Sequence, residues 1–268
     1  MTAKTVLITG STDGVGRRVA QRLAAGGATV LLHGRSRERG EGLRDEIRRS
    51  GGNAQFYAAD LASLAEVRAL AAAVERDHRH LEVLVNNAGI GSSNPPGRHT
   101  SADGHELRFA VNYLSGYLLT RLLLPLLRAS SPARIVNVSS IGQQAIDFAD
   151  VMLEHGYSGG RAYCQSKLAQ ILFTVDLAAE LAGSGVTVNC LHPATYMNTT
   201  MVRAAGVAPT STVEEGADAI LQLVESPALD GKTGLFYNGL RPARADAQAY
   251  DAAARERLRA LSLRLAGA

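Results

Sequence analysis

Short apolar runs alternate with segments of helical spacing along this chain. Val6, Leu7 and Ile8 form a run that stops at Thr9 and Gly10, which predicts a buried strand. Over 15–25 the apolar positions Val15, Val19 and Leu23 recur every four residues, predicting a helix that ends at Gly26 and Gly27. The alternation continues with strands predicted over 29–33, 54–58, 81–86, 134–138, 186–191 and 235–237. Helices are predicted over 37–49, 64–74, 104–128, 162–181, 213–224 and 247–265, the third of these segments bent near Pro125. Repeated strand–helix–strand units imply an α/β fold, with a parallel sheet covered by helices on both faces. Its ligand crevice is expected at the strand carboxyl ends. Two stretches break the pattern. Residues 89–97 are rich in Gly, Ser and Pro, and the region after Pro193 up to 212 has little periodicity and the length of a lid or a long connector.

Composition narrows this picture. A chain of 268 residues with 46% hydrophobic and 20% charged residues fits one domain over 1–268 with a packed core. Its basic residues are interspersed with acidic ones, which suits a solvated helix surface and gives no reason to expect a nucleic-acid partner. Cys164 and Cys190 lack any CxxC spacing, and His155 and His192 lack ligand spacing, so no metal is expected. No apolar run reads as long enough to span a bilayer, and the N-terminus enters a strand directly. The expectation is a cytoplasmic protein with no integral membrane segment.

Candidate chemistry lies at the strand ends. Gly10, Ser11, Thr12, Asp13, Gly14, Val15 and Gly16 join the first strand to the first helix. Glycines there permit a tight turn and close approach of a pyrophosphate to the helix N-terminus, although a bare turn would use the same residues. The second strand ends in His33-Gly34-Arg35-Ser36-Arg37, with no carboxylate where NAD enzymes usually hold the ribose. Arg35 could grip a 2′-phosphate or could be a surface arginine at a turn, and Asp13 partly opposes the phosphate. NADP(H) is therefore favoured over NAD(H). Asp60 ends the third strand, positioned to accept from an adenine amino group or to cap the helix near Ser63. Asn86 and Asn87 can tie strands together, while Ala88 and Gly89 leave room for a cofactor.

Tyr163 and Lys167 stand four apart, on one face of a helix. Hydride transfer to a carbonyl requires a proton donor, and a free tyrosine, with a pKa of about 10, needs a nearby ammonium to lower it. Only three lysines, Lys4, Lys167 and Lys232, stand among 28 basic residues, which singles out Lys167. Ser140 ends the fifth strand, where its hydroxyl could bond the reacting oxygen. Asn112 could anchor a water linked to Lys167, or simply bend its helix.

In this order the motifs resemble the short-chain dehydrogenase/reductase family, in its classical branch, over nearly the whole chain. The resemblance implies a Rossmann-type three-layer sandwich with a seven-stranded parallel sheet. It implies a catalytic tetrad of Asn112, Ser140 (rather than Ser139), Tyr163 and Lys167, with Lys167 also holding the nicotinamide ribose. Expected cofactor contacts are residues 10–16, Arg35, Asp60, Leu61, Asn87, Ala88, Gly89, Tyr163, Lys167 and Pro193. Pro193-Ala194 replaces the family's Pro-Gly. The long gap between Ser140 and Tyr163 resembles the retinol dehydrogenase-like subgroup, with a substrate insertion over 141–160 and a lid over 194–212.

The activity implied is NADP(H)-dependent oxidoreduction of a small-molecule carbonyl or alcohol, against the alternative of a dinucleotide-binding regulator without turnover. The expected substrate pocket combines 91–96, the insertion and the lid, including Ile146, Phe148, Val151, Met152, Leu153, Tyr157, Tyr196, Met197, Met201 and Val202. Such content favours a mostly apolar ligand, and core packing explains many of these residues equally well. A homodimer or homotetramer through the long helices around Asn112 and Tyr163 is also implied.

Overall fold

The computed structural model describes residues 4–93 and 95–267. Strands β1 (Thr5–Ile8), β2 (Thr29–Gly34), β3 (Asn53–Ala58), β4 (Val83–Asn86), β5 (Ala133–Val138), β6 (Val186–His192), β7 (Phe236–Asn238) and β8 (Arg241–Ala243) form one sheet in the order β3-β2-β1-β4-β5-β6-β7-β8. The first seven are parallel. The eighth, not expected from the sequence, runs antiparallel to β7 and pairs Tyr237 with Pro242. Proline is tolerated there because the strand is an edge.

Between the strands lie α1 (Gly14–Ala25), α2 (Arg37–Arg49), α3 (Leu64–Asp77), α4 (Ser115–Ala129), α5 (Gly159–Glu180), α6 (Thr200–Ala204) and α7 (Val213–Glu225), and α8 (Ala252–Ala266) follows β8. Hydroxyl caps start several of them: Ser36, Ser63 and Ser158 accept from the third helical N–H, and Thr212 forms a capping box with Glu215. Because Ser158 caps α5, that helix begins three residues before the expected 162, and Tyr163 sits in its second turn.

Alternate residues of each strand feed opposite cores. Leu7 and Leu31 pack with α3, α4, α5 and α8, whereas Val6, Ile8, Val30 and Leu32 pack with α1, α2 and α7. Strand order reverses between β1 and β4, so a crevice opens above the carboxyl ends of these two strands.

The helix expected over 104–128 starts later, with a π-helical turn at Phe109–Leu114 that runs straight into α4. Together they make 21 residues whose most apolar 18 have a mean hydropathy of 1.2, long and apolar enough to cross a membrane by length and composition, contrary to the sequence expectation. Burial accounts for the apolar content: 67% of those 18 residues lie inside the fold, and the helix packs against α3 and α5. The face of α5 beside this helix is covered in turn by α8. Tyr113 and Ser262 share a 2.6 Å hydroxyl bond, Arg259 pairs with Asp176, and Leu258 enters the core.

Candidate active site

At the β1 end, the glycine turn is packed against the Asn-Asn-Ala-Gly segment. Gly10 adopts φ +65°, and a Cβ there would lie 2.9 Å from the Ala88 Cα. A Cβ on Gly16 would stand 2.5 Å from the Gly10 carbonyl oxygen. Asn87 Nδ2 donates to the Thr9 and Gly10 carbonyls at 2.8 and 3.1 Å, and Thr9 Oγ1 accepts from the Asn87 and Ala88 N–H groups. The backbone of Gly10–Gly16 is thus held open beside the N-terminus of α1. Asp13 is exposed and caps that helix, accepting from Gly14 N at 2.7 Å, while Ser11 and Thr12 are buried. Val15 turns into the core.

Arg35 stands exposed at the end of β2 and makes no ion pair among the described residues. Asp60 accepts from Ala62 N at 3.0 Å through one carboxylate oxygen, and Ser63, not Asp60, caps α3. Leu61 beside it is buried. An open glycine cradle, a helix N-terminus and an unpaired guanidinium beyond it suit a dinucleotide that carries an additional phosphate.

A residue that the sequence reading passed over holds this end together. His33 lies buried in β2, accepts from Gly10 N–H on Nδ1 at 3.1 Å and has Nε2 3.2 Å from the Ala59 carbonyl. Its carbonyl and N–H also bond Ser11. Burial lowers its pKa from 6.5 to about 4, so the ring is neutral, with the proton on Nε2. The one signal in the sequence is an imidazole within an otherwise apolar strand.

At the β5 end, Tyr163 and Lys167 project from one face of α5. Ser140 and Tyr163 flank the same space, since a Cβ on Gly142 would lie 3.4 Å from Ser140 Oγ and 3.6 Å from Tyr163 Cε1, and Ser140 Oγ accepts from Gly142 N at 3.0 Å. Ser139 is engaged elsewhere, donating to the Lys167 carbonyl at 2.7 Å. Lys167 is buried. Its Nζ donates to the Val138 carbonyl at 2.9 Å and to Gln170 Oε1 at 3.0 Å, and lies 5.9 Å from the Tyr163 ring centre. The expected lowering of the phenol by this ammonium is not what the geometry delivers. Burial raises the Tyr163 pKa, and the neighbouring Ser140 hydroxyl is what opposes it. Burial also pulls Lys167 down to about 7.

Asn112 sits in the π-helical turn, where its Oδ1 accepts from Ile90 N at 2.8 Å. Its Nδ2 donates to the Ile90 carbonyl and to Ser166 Oγ, and Ser166 in turn donates to the Tyr163 carbonyl. The side-chain amide is therefore a brace between the β4 loop and α5. A Cβ on Gly89 would lie 3.3 Å from Asn112 Oδ1 and 3.4 Å from Lys167 Nζ, so Gly89 leaves the space where these two residues meet. Pro193 is buried at the end of β6, beside His192, whose Nε2 lies 3.0 Å from Thr195 Oγ1.

The expected pocket walls divide differently. Ile146 is buried in the core, with Phe148, Val151 and Met152 packed against it, and Leu153 is buried as well. Met197 packs on the opposite core. Tyr196 and Met201 remain exposed, along with Ile141 next to Ser140. Of the 91–96 loop, Asn94 lies outside the described residues. Its other residues are clamped by Arg108, which donates to the carbonyls of Gly91, Ser92 and Pro95 at 2.8–2.9 Å and to Tyr157 Oη at 2.6 Å. Arg108 is fully buried beside Glu106, a pair that the sequence shows only as charges flanking an apolar run. The segment after Pro193 folds on itself, with Thr210 N bonded to the Tyr196 carbonyl, and touches both loops. Thr199 Cγ2 stands 3.2 Å from where a Cβ on Gly14 would be, and Met201 Cγ 3.1 Å from one on Gly91.

A family model described as short chain dehydrogenase matches residues 4–208. Retinol dehydrogenase 13 of Homo sapiens is 37% identical over 98% of this chain and 85% of its own length. Retinol dehydrogenase 11 of Homo sapiens is 44% identical over 73% of this chain and 62% of its own length. Among solved structures, a protein from Mycobacterium paratuberculosis superposes with a TM-score of 0.82 at 30% identity, over 98% of this chain and 93% of its own. The Pseudomonas aeruginosa RhlG/NADP active-site complex gives 0.70 at 29% identity, over 88% and 95%.

Proposed function

The chain belongs to the short-chain dehydrogenase family, and on that premise we propose how its residues share the work of an NADP(H)-dependent oxidoreductase acting on small carbonyl or alcohol substrates. The observation that carries the assignment is the placement of the Ser140 hydroxyl and the Tyr163 ring around one space at the sheet's carboxyl edge, with Lys167 one turn further along α5. Bound nicotinamide supplies or accepts the hydride. Ser140 holds the substrate oxygen by a hydrogen bond, and Tyr163 gives that oxygen a proton in reduction and takes one in oxidation. Lys167 holds the cofactor ribose, while Asn112 braces α5 against the β4 loop. Residues 10–16, Asp60, Leu61, Asn87, Ala88, Gly89 and Pro193 line the dinucleotide, and Arg35 takes its 2′-phosphate.

We assign 1–268 to a single domain, with 141–160 and 194–212 bordering the substrate. The exposed Ile141, Tyr196 and Met201 favour an apolar body around one reacting oxygen. Two free cysteines suit a reducing compartment such as the cytoplasm. A homodimer or homotetramer would have to be built on faces other than the flank of α5 that α8 occupies.

The test is NADPH oxidation by the purified protein across a panel of aldehydes and ketones, with and without Tyr163→Phe. Carbonyl-dependent oxidation abolished by that substitution is expected. NADPH binding with no carbonyl-dependent oxidation would leave only a dinucleotide-binding regulator. Arg35→Ala is expected to bring NADPH affinity down towards that of NADH, and an unchanged preference would remove Arg35 from the cofactor site.

A further inference from the structure

Lys167 is enclosed with no carboxylate bonded to it among the described residues. Its acceptors are both neutral, the Val138 carbonyl and Gln170 Oε1. Two of its three N–H groups are thereby used, on a nitrogen that lies 3.4 Å from the space left by Gly89. The titratable groups that face it are Tyr163 on its own helix and His192 at the end of β6. From β5 it meets Val138 and Ser139, and beside Gly89 stands Asn112, all of them neutral.

Gln170 is one turn beyond Lys167 and is itself buried. Its backbone carbonyl accepts from Thr174 Oγ1, which accepts from Asn137 Nδ2, and Asn137 Oδ1 accepts from Asn86 Nδ2. Asn86 also donates to Thr120 on α4. This buried relay fixes the turn of α5 that carries Gln170 to β5, β4 and α4. A glutamate here would neutralise the ammonium and lock its proton in place. An apolar residue would leave the ammonium with a single acceptor and draw it off station.

We propose that Gln170 is the positioning residue for Lys167, fixing where the ammonium sits and, as a neutral acceptor, leaving its proton readily lost. The inference deepens the reading of the site given above and rests on it for its catalytic consequence. It does not rest on it for the bond itself. Burial already draws Lys167 down to about 7, so a small change in its acceptors moves its charge state across neutrality.

The chain's three lysines make a direct test practical, because Lys4 and Lys232 are exposed and Lys167 alone is buried. Lysine labelled with carbon-13 at Cε is followed by NMR through a pH titration of the full chain, with Lys167→Met identifying the buried signal. Gln170→Met is expected to lower the Lys167 titration midpoint by about one pH unit, through loss of a hydrogen bond to the charged form. Gln170→Glu is expected to raise it by at least about as much. Shifts in opposite directions support the assignment. Midpoints that stay with the wild type, or move the same way in both variants, overturn it. Should Gln170→Met not fold, the Gln170→Glu shift decides alone. The pH at which carbonyl turnover is half-maximal should follow the same two directions. If the NMR midpoints move but the wild type turns over no carbonyl, the proposed reaction fails while the role of Gln170 stands. Turnover with unmoved midpoints has the reverse meaning.

Discussion

The backbone N–H of Gly10 donates to Nδ1 of His33 across 3.1 Å, joining the glycine turn to the strand that presents Arg35. The bond needs the neutral ring, since a protonated Nδ1 would set two donors against each other. His33 binds a proton only near pH 4 in the folded chain, against 6.5 for the free side chain. Between these values the unfolded chain takes up a proton that the folded chain refuses. The stabilisation is therefore complete above about pH 6.5 and lost as pH falls towards 4, amounting to about 3 kcal/mol. Urea unfolding of wild type and His33→Gln at pH 7.5 and 4.5 isolates this contribution. The wild type should lose more stability than the variant between the two pH values, and equal losses would contradict the ring's buried neutral state.

Arg108 and Glu106 form a buried pair whose hydrogen bonds hold the carbonyls of Gly91, Ser92 and Pro95 and the Tyr157 hydroxyl in one cluster. Removing one charge strands the other in a dry site. Arg108→Met should cost about 3–5 kcal/mol by chemical denaturation. The double variant Glu106→Gln with Arg108→Met should lose clearly less than the two single losses combined. Additive losses would mean that the two charges do not depend on each other.

His33 and Arg108 also mark what could and could not be read from residue order. Spacing alone put Tyr163 and Lys167 on one helical face, and glycines directly after an apolar run located the turn between β1 and α1. Both features are local, because they follow from helix period and turn chemistry. The bonds of His33 and Arg108 span 13 to 49 positions along the chain, so nothing beside either residue announces them. Apolar content could not say which way Ile146 and Leu153 point, and the fold buries both rather than turning them towards a ligand. The β8 edge was hidden by Pro242, which reads as a loop residue. Asp60 could accept from an adenine amino group or cap the helix near Ser63, and the geometry gives that cap to Ser63 itself and leaves Asp60 in a turn three residues earlier.

Adjacent serines divide into separate duties. Ser139 Oγ is spent on the Lys167 carbonyl, whereas Ser140 Oγ borders the same space as the Tyr163 ring. Ser140→Ala should lower kcat about a hundredfold or more, the scale of losing one donor to a reacting oxygen. Ser139→Ala should cost about 1 kcal/mol of stability and leave kcat within about twofold. Steady-state kinetics beside denaturation curves would test both, and a larger kcat loss at Ser139 would reverse the assignment.

The contact between Thr199 and Gly14 ties the segment after Pro193 to the cofactor turn. Gly14 holds φ +52°, where a Cβ costs about 1–2 kcal/mol of backbone strain and would also stand 3.2 Å from Thr199 Cγ2. Gly14→Ala should therefore weaken NADPH binding about tenfold or more, one factor of ten for each 1.4 kcal/mol. The strain belongs to the backbone and no second change removes it, but the steric part belongs to one methyl group. Adding Thr199→Ser, which keeps the hydroxyl cap of α6 and deletes that methyl, should recover part of the lost affinity. Titration calorimetry of wild type, both single variants and the double variant separates the two parts. Partial recovery in the double variant means that the segment rests on the cofactor turn in solution. An affinity identical to that of Gly14→Ala means that the two surfaces are not in contact when the dinucleotide binds.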